Sequence, residues 1–144
     1  MLNFNLSTEQ LEIQKKAREF ALKEVLPVAA YYDEIAKTPI GLLRKAFDAG
    51  LINGDIPKKY GGKGYGVLEA VVIVEEIAAA CPGIATSVFD NSLGMEPLIL
   101  SDNETAKEKY LPKIANDFKD LTINKLFYVY KYFHRHDAGA YDAL

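Results

Sequence analysis

Gly61-Gly62-Lys63-Gly64-Tyr65-Gly66 is the first stretch whose residue types could do chemistry, because backbone amides in a glycine-rich turn can cradle a phosphate. Its spacing argues otherwise. No Gly-Lys-Ser/Thr follows, and in a dinucleotide fingerprint begun at Gly62 the third glycine falls on Val67. A bend lying over a neighbouring surface accounts for the glycines. His134 and His136 would share one face of a strand, with Asp137 as a third ligand, yet without a further distant ligand they close no coordination sphere. Neither has a glutamate three residues upstream, as a di-iron helix bundle needs, so no metal is expected. Cys81 stands beside Pro82 with no histidine near in sequence, which suits a small buried apolar role better than a thiolate. Glu69, Glu75 and Glu76 are the remaining acids of interest. Adjacent helical positions point apart, and nothing near them in sequence separates their pKa values, so they read as solvated or interface carboxylates.

The elements that must carry these residues are helical. Ser7 and Gln10 have capping-box spacing, and Leu11, Ala17, Phe20, Ala21 and Val25 recur at helical intervals until Pro27 interrupts. A short helix follows from Val28 to about Ile35. Thr38 as cap and Pro39 at the first position start another helix, with Ile40, Leu43, Ala46 and Phe47 as its buried stripe and Gly50 as its stop. Six of the ten glycines (Gly50, Gly54, Gly61, Gly62, Gly64 and Gly66) then mark one long loop. Val67 to Cys81 is apolar on nearly every side, as in a helix buried on several faces. Ile84 to Leu100 forms a further helix that Gly94 and Pro97 should bend. Ser101 with Glu104 offers a second capping box, before a surface helix marked by Ala106, Tyr110 and Ile114. The expected fold is all-α, a bundle of about five or six helices with a long Gly-rich loop. The segment Lys125 to Phe133, with five aromatics in nine positions, is expected to be irregular or strand-like.

Composition narrows the function. A chain of 144 residues that is 49% apolar can bury one core. Its net charge of -3 gives no basic field for nucleic acid or an anionic membrane. One cysteine excludes an internal disulfide. The first ten residues lack a charged and apolar leader pattern, and Ala70 to Val74 is too short an apolar run to span a bilayer, so the expected compartment is cytoplasmic.

Taken in order, STEQLEIQKKAREFALKEVLPVAAYYDE, KAFDAGLINGDIPKKYGGKGYG, VEEIAAACPGIATSV, NSLGMEPLIL and KEKYLPKIAND resemble the N-terminal helical domain of acyl-CoA dehydrogenases over roughly residues 6 to 120. The resemblance implies a flavoprotein that oxidises an acyl-CoA at its α and β carbons. It also implies FAD as cofactor, electron-transfer flavoprotein as acceptor, and a homo-oligomer. In the family a middle β domain and a C-terminal bundle carry the catalytic base and most flavin contacts. By alignment with the family's acyl-pocket wall, substrate-binding positions fall on Thr86, Phe89, Asp90 and Leu93, which would share one helical face. The bulk of Phe89 implies a short or compact acyl group. Asp90 is costly on an apolar wall unless it turns to the rim. No catalytic residue is expected in the chain, which should neither turn over nor hold FAD tightly by itself. Domain boundaries are expected at 1–120 for the helical domain and 121–144 for a divergent tail, where the family's β-domain loop is not matched. An aberrant reading of the gene would explain that tail. A non-catalytic helical module or split subunit docking on a flavin-bearing partner chain is the alternative.

Overall fold

In the computed structural model, which describes residues 5–118, Ser7 opens the first helix through the expected capping box. Its hydroxyl accepts from the Gln10 amide at 3.2 Å, and the Ser7 amide donates to Gln10 Oε1 at 2.9 Å. The elements are α1 (Thr8–Phe20), α2 (Ala29–Ile35), α3 (Ile40–Asp48), α4 (Val67–Ala80), α5 (Pro82–Leu100) and α6 (Glu104–Asn116), with no strand among the described residues. The all-α expectation holds. His134, His136, Asp137 and the aromatic run at 125–133 lie outside the described residues.

Pro27 does not end the first helical run. Its ring cannot sit under the carbonyl four residues back, so Ala21–Val25 widens into a π turn and Leu26–Val28 tightens into a 3₁₀ turn before α2 begins. The buried stripe of α1 is Ile13, Ala17 and Phe20, and Leu11 is exposed. The reason is α4, which lies along the Gln10 side of the helix. Gln10 Nε2 donates to Glu69 Oε1 at 2.7 Å, and eight residues later Arg18 reaches Glu76, so the two helices run parallel.

The start of α3 falls one residue later than the sequence suggested. Pro39, not Thr38, occupies the cap position, and no side chain caps the helix. Its core contact is Leu42 and Ala46, Leu43 and Phe47 are half-buried, and Ile40 points to solvent. At α6 the cap is Asn103, whose Oδ1 accepts from the Ala106 amide at 2.9 Å. Ser101 stands two residues ahead of that cap: its hydroxyl donates to the Leu98 carbonyl at 2.9 Å, closing α5, and accepts from the Asn103 amide at 3.3 Å. Helix α5 continues through Gly94 and Pro97 to Leu100, held by Met95 and Leu98, both buried on either side of the proline.

The glycine-rich stretch is a packed plug rather than a free loop. Leu51, Ile52, Ile56 and Tyr60 are all buried in the common core. The ends of the plug are tied by the Tyr65 amide donating to the Gly54 carbonyl at 2.7 Å and the Gly64 amide donating to the Ile56 carbonyl at 2.9 Å. Gly62 makes this possible, since a Cβ there would stand 1.9 Å from the Ile56 carbonyl oxygen. The Asn53 side chain fixes the plug to α6, donating from Nδ2 to the Ile114 carbonyl at 3.1 Å.

Candidate functional site

The phosphate reading of the glycine turn fails on the fate of its amides. Those of Gly61, Gly62 and Gly64 donate to the carbonyls of Lys58, Pro57 and Ile56, and that of Gly66 donates to Glu69 Oε2 at 2.8 Å. None of these donors is left to cradle an anion.

Two of the three acids, Glu76 and Glu69, are likewise committed elsewhere. Glu76 is buried and takes a two-pronged contact from Arg18, Nε to Oε2 at 2.7 Å and Nη2 to Oε1 at 2.6 Å. That carboxylate holds the guanidinium above its ordinary pKa, through the hydrogen bond first and its charge second. Glu69 is pulled below the usual carboxylate range, mainly by the hydrogen bond from Gln10, and caps α4. Glu75 is exposed. Cys81, half-buried, packs against the core at the turn between α4 and α5. No group of three or more metal-ligating side chains occurs among the described residues. Nor, among them, is any helix long and apolar enough to cross a membrane.

What remains is a groove of about 700 Å³ between α4 and α5, with Asp55 and Tyr65 of the plug at its side. Its apolar residues are unusually open: Val67 is 82% exposed, Leu100 74%, Leu93 69% and Val71 52%. Open side chains of this size gathered along one groove mark a contact surface rather than scattered surface residues. The helix spacing explains the geometry. Val67, Val71, Val74 and Ala78 recur every three or four residues along α4, opposite Phe89, Leu93 and Leu100 on α5.

Of the four positions carried over from the family, Thr86, Phe89 and Leu93 line the groove. Phe89 is half-buried in its wall, and the Thr86 hydroxyl donates back to the Pro82 carbonyl at 3.0 Å. Asp90 is exposed and does not line the groove, because the next helical position along turns away from α4. The contribution of α4 itself was missed, although the signal was present. A helix apolar on every side needs a neighbour on every side, and the described chain supplies too few.

Besides Tyr65 and the Thr86 hydroxyl, polar side chains line the groove at one further place. Asp55, Ser92 and Glu96 lie together there. Burial pushes the Asp55 carboxyl up from its ordinary range, its backbone and the Ser92 hydroxyl pull it down, and Glu96 adds a like charge that raises it. Tyr65 lies close enough to Gly54 that a Cβ at that glycine would stand 2.3 Å from the ring. A second hollow of about 650 Å³, near Tyr32, Asp33, Lys37 and Cys81, has no comparable apolar stripe.

Residues 7–117 match the family model for the acyl-CoA dehydrogenase N-terminal domain. The chain is 39% identical over 114 residues to the "Probable medium-chain specific acyl-CoA dehydrogenase 2, mitochondrial" of Caenorhabditis briggsae, covering 79% of this chain and 28% of that protein. Among solved structures it is similar to a chain of the electron transferring flavoprotein study of Acidaminococcus fermentans, with a TM-score of 0.73, 33% identity, and 79% and 30% of the two chains covered. It is similar also to butyryl-CoA dehydrogenase from Megasphaera elsdenii, with a TM-score of 0.72, 28% identity, and 79% and 31% covered. The chain therefore spans less than a third of the length of the curated relatives it matches.

Proposed function

The chain belongs to the acyl-CoA dehydrogenase family, as an N-terminal domain, and on that premise we propose that it forms one wall of the cleft in which a flavin enzyme dehydrogenates a short or compact acyl-CoA. The observation that supports this is the open apolar groove, with Val71 on one bank and Leu93 on the other. Burying such surface against an aliphatic chain is favourable by about 25 cal/mol per Å². The bulk of Phe89 in the groove lining supports the compact choice.

The groove lining includes Asp55 and Glu96 but no lysine, arginine or histidine. It suits an acyl tail and does not fit the phosphates of FAD or of CoA. On this reading flavin, catalytic base and electron-transfer flavoprotein contacts belong to other parts of a complete enzyme. The chain's own residues exclude water from the tail and shape its path. The proposed domain limits stay at 1–120 and 121–144, and the proposed compartment is cytoplasmic, which cell fractionation tests.

The purified chain should be colourless and should not reduce a dye with butyryl-CoA. A yellow, active protein overturns the proposal. In a complete homologous enzyme, shrinking the equivalent of Phe89 to alanine should lengthen the accepted acyl chain, read as kcat/KM across an acyl-CoA series, and an unchanged series removes Phe89 from the pocket. A second reading, a non-catalytic module or split subunit on a flavin-bearing partner, draws on the same exposed Val67 and Leu100. Co-purification with such a chain distinguishes it.

A further inference from the structure

Behind the groove wall lies a small cavity of about 20 Å³. Asp55, Tyr65, Ala70, Phe89 and Ser92 line both spaces and so form the partition between them. A volume of this size holds one water molecule, and whether it does depends on the polarity of its walls. Two of the residues that border it, Asn53 and Asp55, each carry an Oδ1 shut off from solvent and without a donor in hydrogen-bond geometry among the described residues, although the Ser92 hydroxyl and the backbone at Asp55 and Ile56 lie near enough to the Asp55 carboxylate to act on it. Asn53 is only 5% exposed. Its amide cannot be turned to remedy this, because Nδ2 is already engaged with the Ile114 carbonyl at 3.1 Å. Buried acceptors left bare carry their full desolvation cost.

We infer that this cavity is a binding site for a single small neutral hydrogen-bond donor, a water molecule that donates one O–H to Asn53 Oδ1 and the other to Asp55 Oδ1. The match is one of number and size. Water brings two donors to two acceptors, whereas an ammonium ion brings four. The bound water ties the plug to the partition at Ser92 and Phe89, so the groove wall is backed by a hydrated joint in addition to packed side chains. This inference does not rest on the acyl-binding proposal.

The test uses the whole 144-residue chain. Water-to-protein cross-relaxation in NMR spectra should show a long-lived water beside the Asn53 side-chain amide and the Val88 methyls. Val88→Ile, which adds a methylene at the cavity wall, should remove those contacts and lower Tm by a few degrees. Filling a dry void has the opposite sign and raises Tm. Ala70→Val makes the same test from α4 should the first variant fail to fold. Two results overturn the inference: absence of long-lived water contacts in the wild type, or a Tm that rises on filling. A protonated Asp55 donating straight to Asn53, visible as a neutral-carboxyl ¹³C shift without a neighbouring water, also overturns it.

Discussion

Helix α4 has two faces that both carry large apolar side chains and meet opposite fates. Toward α1 it is sealed: Ile73 and Ile77 are in the core, and Glu76 is buried under Arg18. Toward the groove, Val67 and Val71 stand open although they are as apolar as the sealed residues. Hydropathy would pick the wrong face to seal, because the buried one also carries Glu69 and Glu76, and it counts side chains and not neighbours. The difference shows that apolar character states only that a face should be covered. What covers it is decided by the partner helices.

The contrast can be broken most decisively on the sealed face. Ile77→Ala removes a fully buried side chain and should cost about 2–5 kcal/mol, read by urea unfolding of the chain. A loss near zero would mean that the two faces do not differ. Gly62→Ala, at the plug that backs the groove, should cost about 1–3 kcal/mol because the Ile56 backbone has to move aside. If it is tolerated, the plug is looser than its contacts indicate.

A smaller effect is expected from pH at the same plug. Glu104 accepts from the Tyr60 hydroxyl at 2.7 Å, Lys107 at 3.0 Å and Lys59 at 3.0 Å, and these contacts, that from Tyr60 foremost, hold its carboxyl down to about 2. A depressed carboxylate stabilises the fold above its unfolded pKa. That stability should be lost as pH falls from about 4.5 toward 2, and Glu104→Gln should flatten this part of a Tm-against-pH curve. An identical curve for the variant would remove Glu104 as the cause. The smallest effect belongs to the open face. Val71→Ser should change the unfolding free energy by no more than about 0.5 kcal/mol, and a large loss would show that the groove is closed in solution.

Much of the fold was legible because its signals are local. The Ser7–Gln10 box, the stop at Gly50 and the glycine-rich interval each depend on residues within a few positions of one another. Helix starts drifted where two local signals competed: Ser101 and Asn103 both can cap, and it is the Asn103 oxygen that meets a first-turn amide of α6, while the Ser101 hydroxyl meets only the Asn103 amide ahead of the helix. In the groove, the α5 positions Thr86, Phe89 and Leu93 were reached through family resemblance and their shared helical face. The α4 bank, with Asp55 and Ser92, was not, because these residues meet only when the plug folds onto the helices.

The sequence by itself determined that the described part of this chain is helical, where most helices begin and end, and that its glycine-rich turn is not a nucleotide loop, since capping, periodicity and motif spacing act within a turn or two. Only the tertiary structure decided which face of α4 is sealed, why Glu76 is buried, and which residues share the groove and the cavity behind it. Those outcomes depend on contacts between residues some sixty positions apart, such as Arg18 with Glu76 and Asn53 with Ile114, and no local pattern encodes which distant surface arrives.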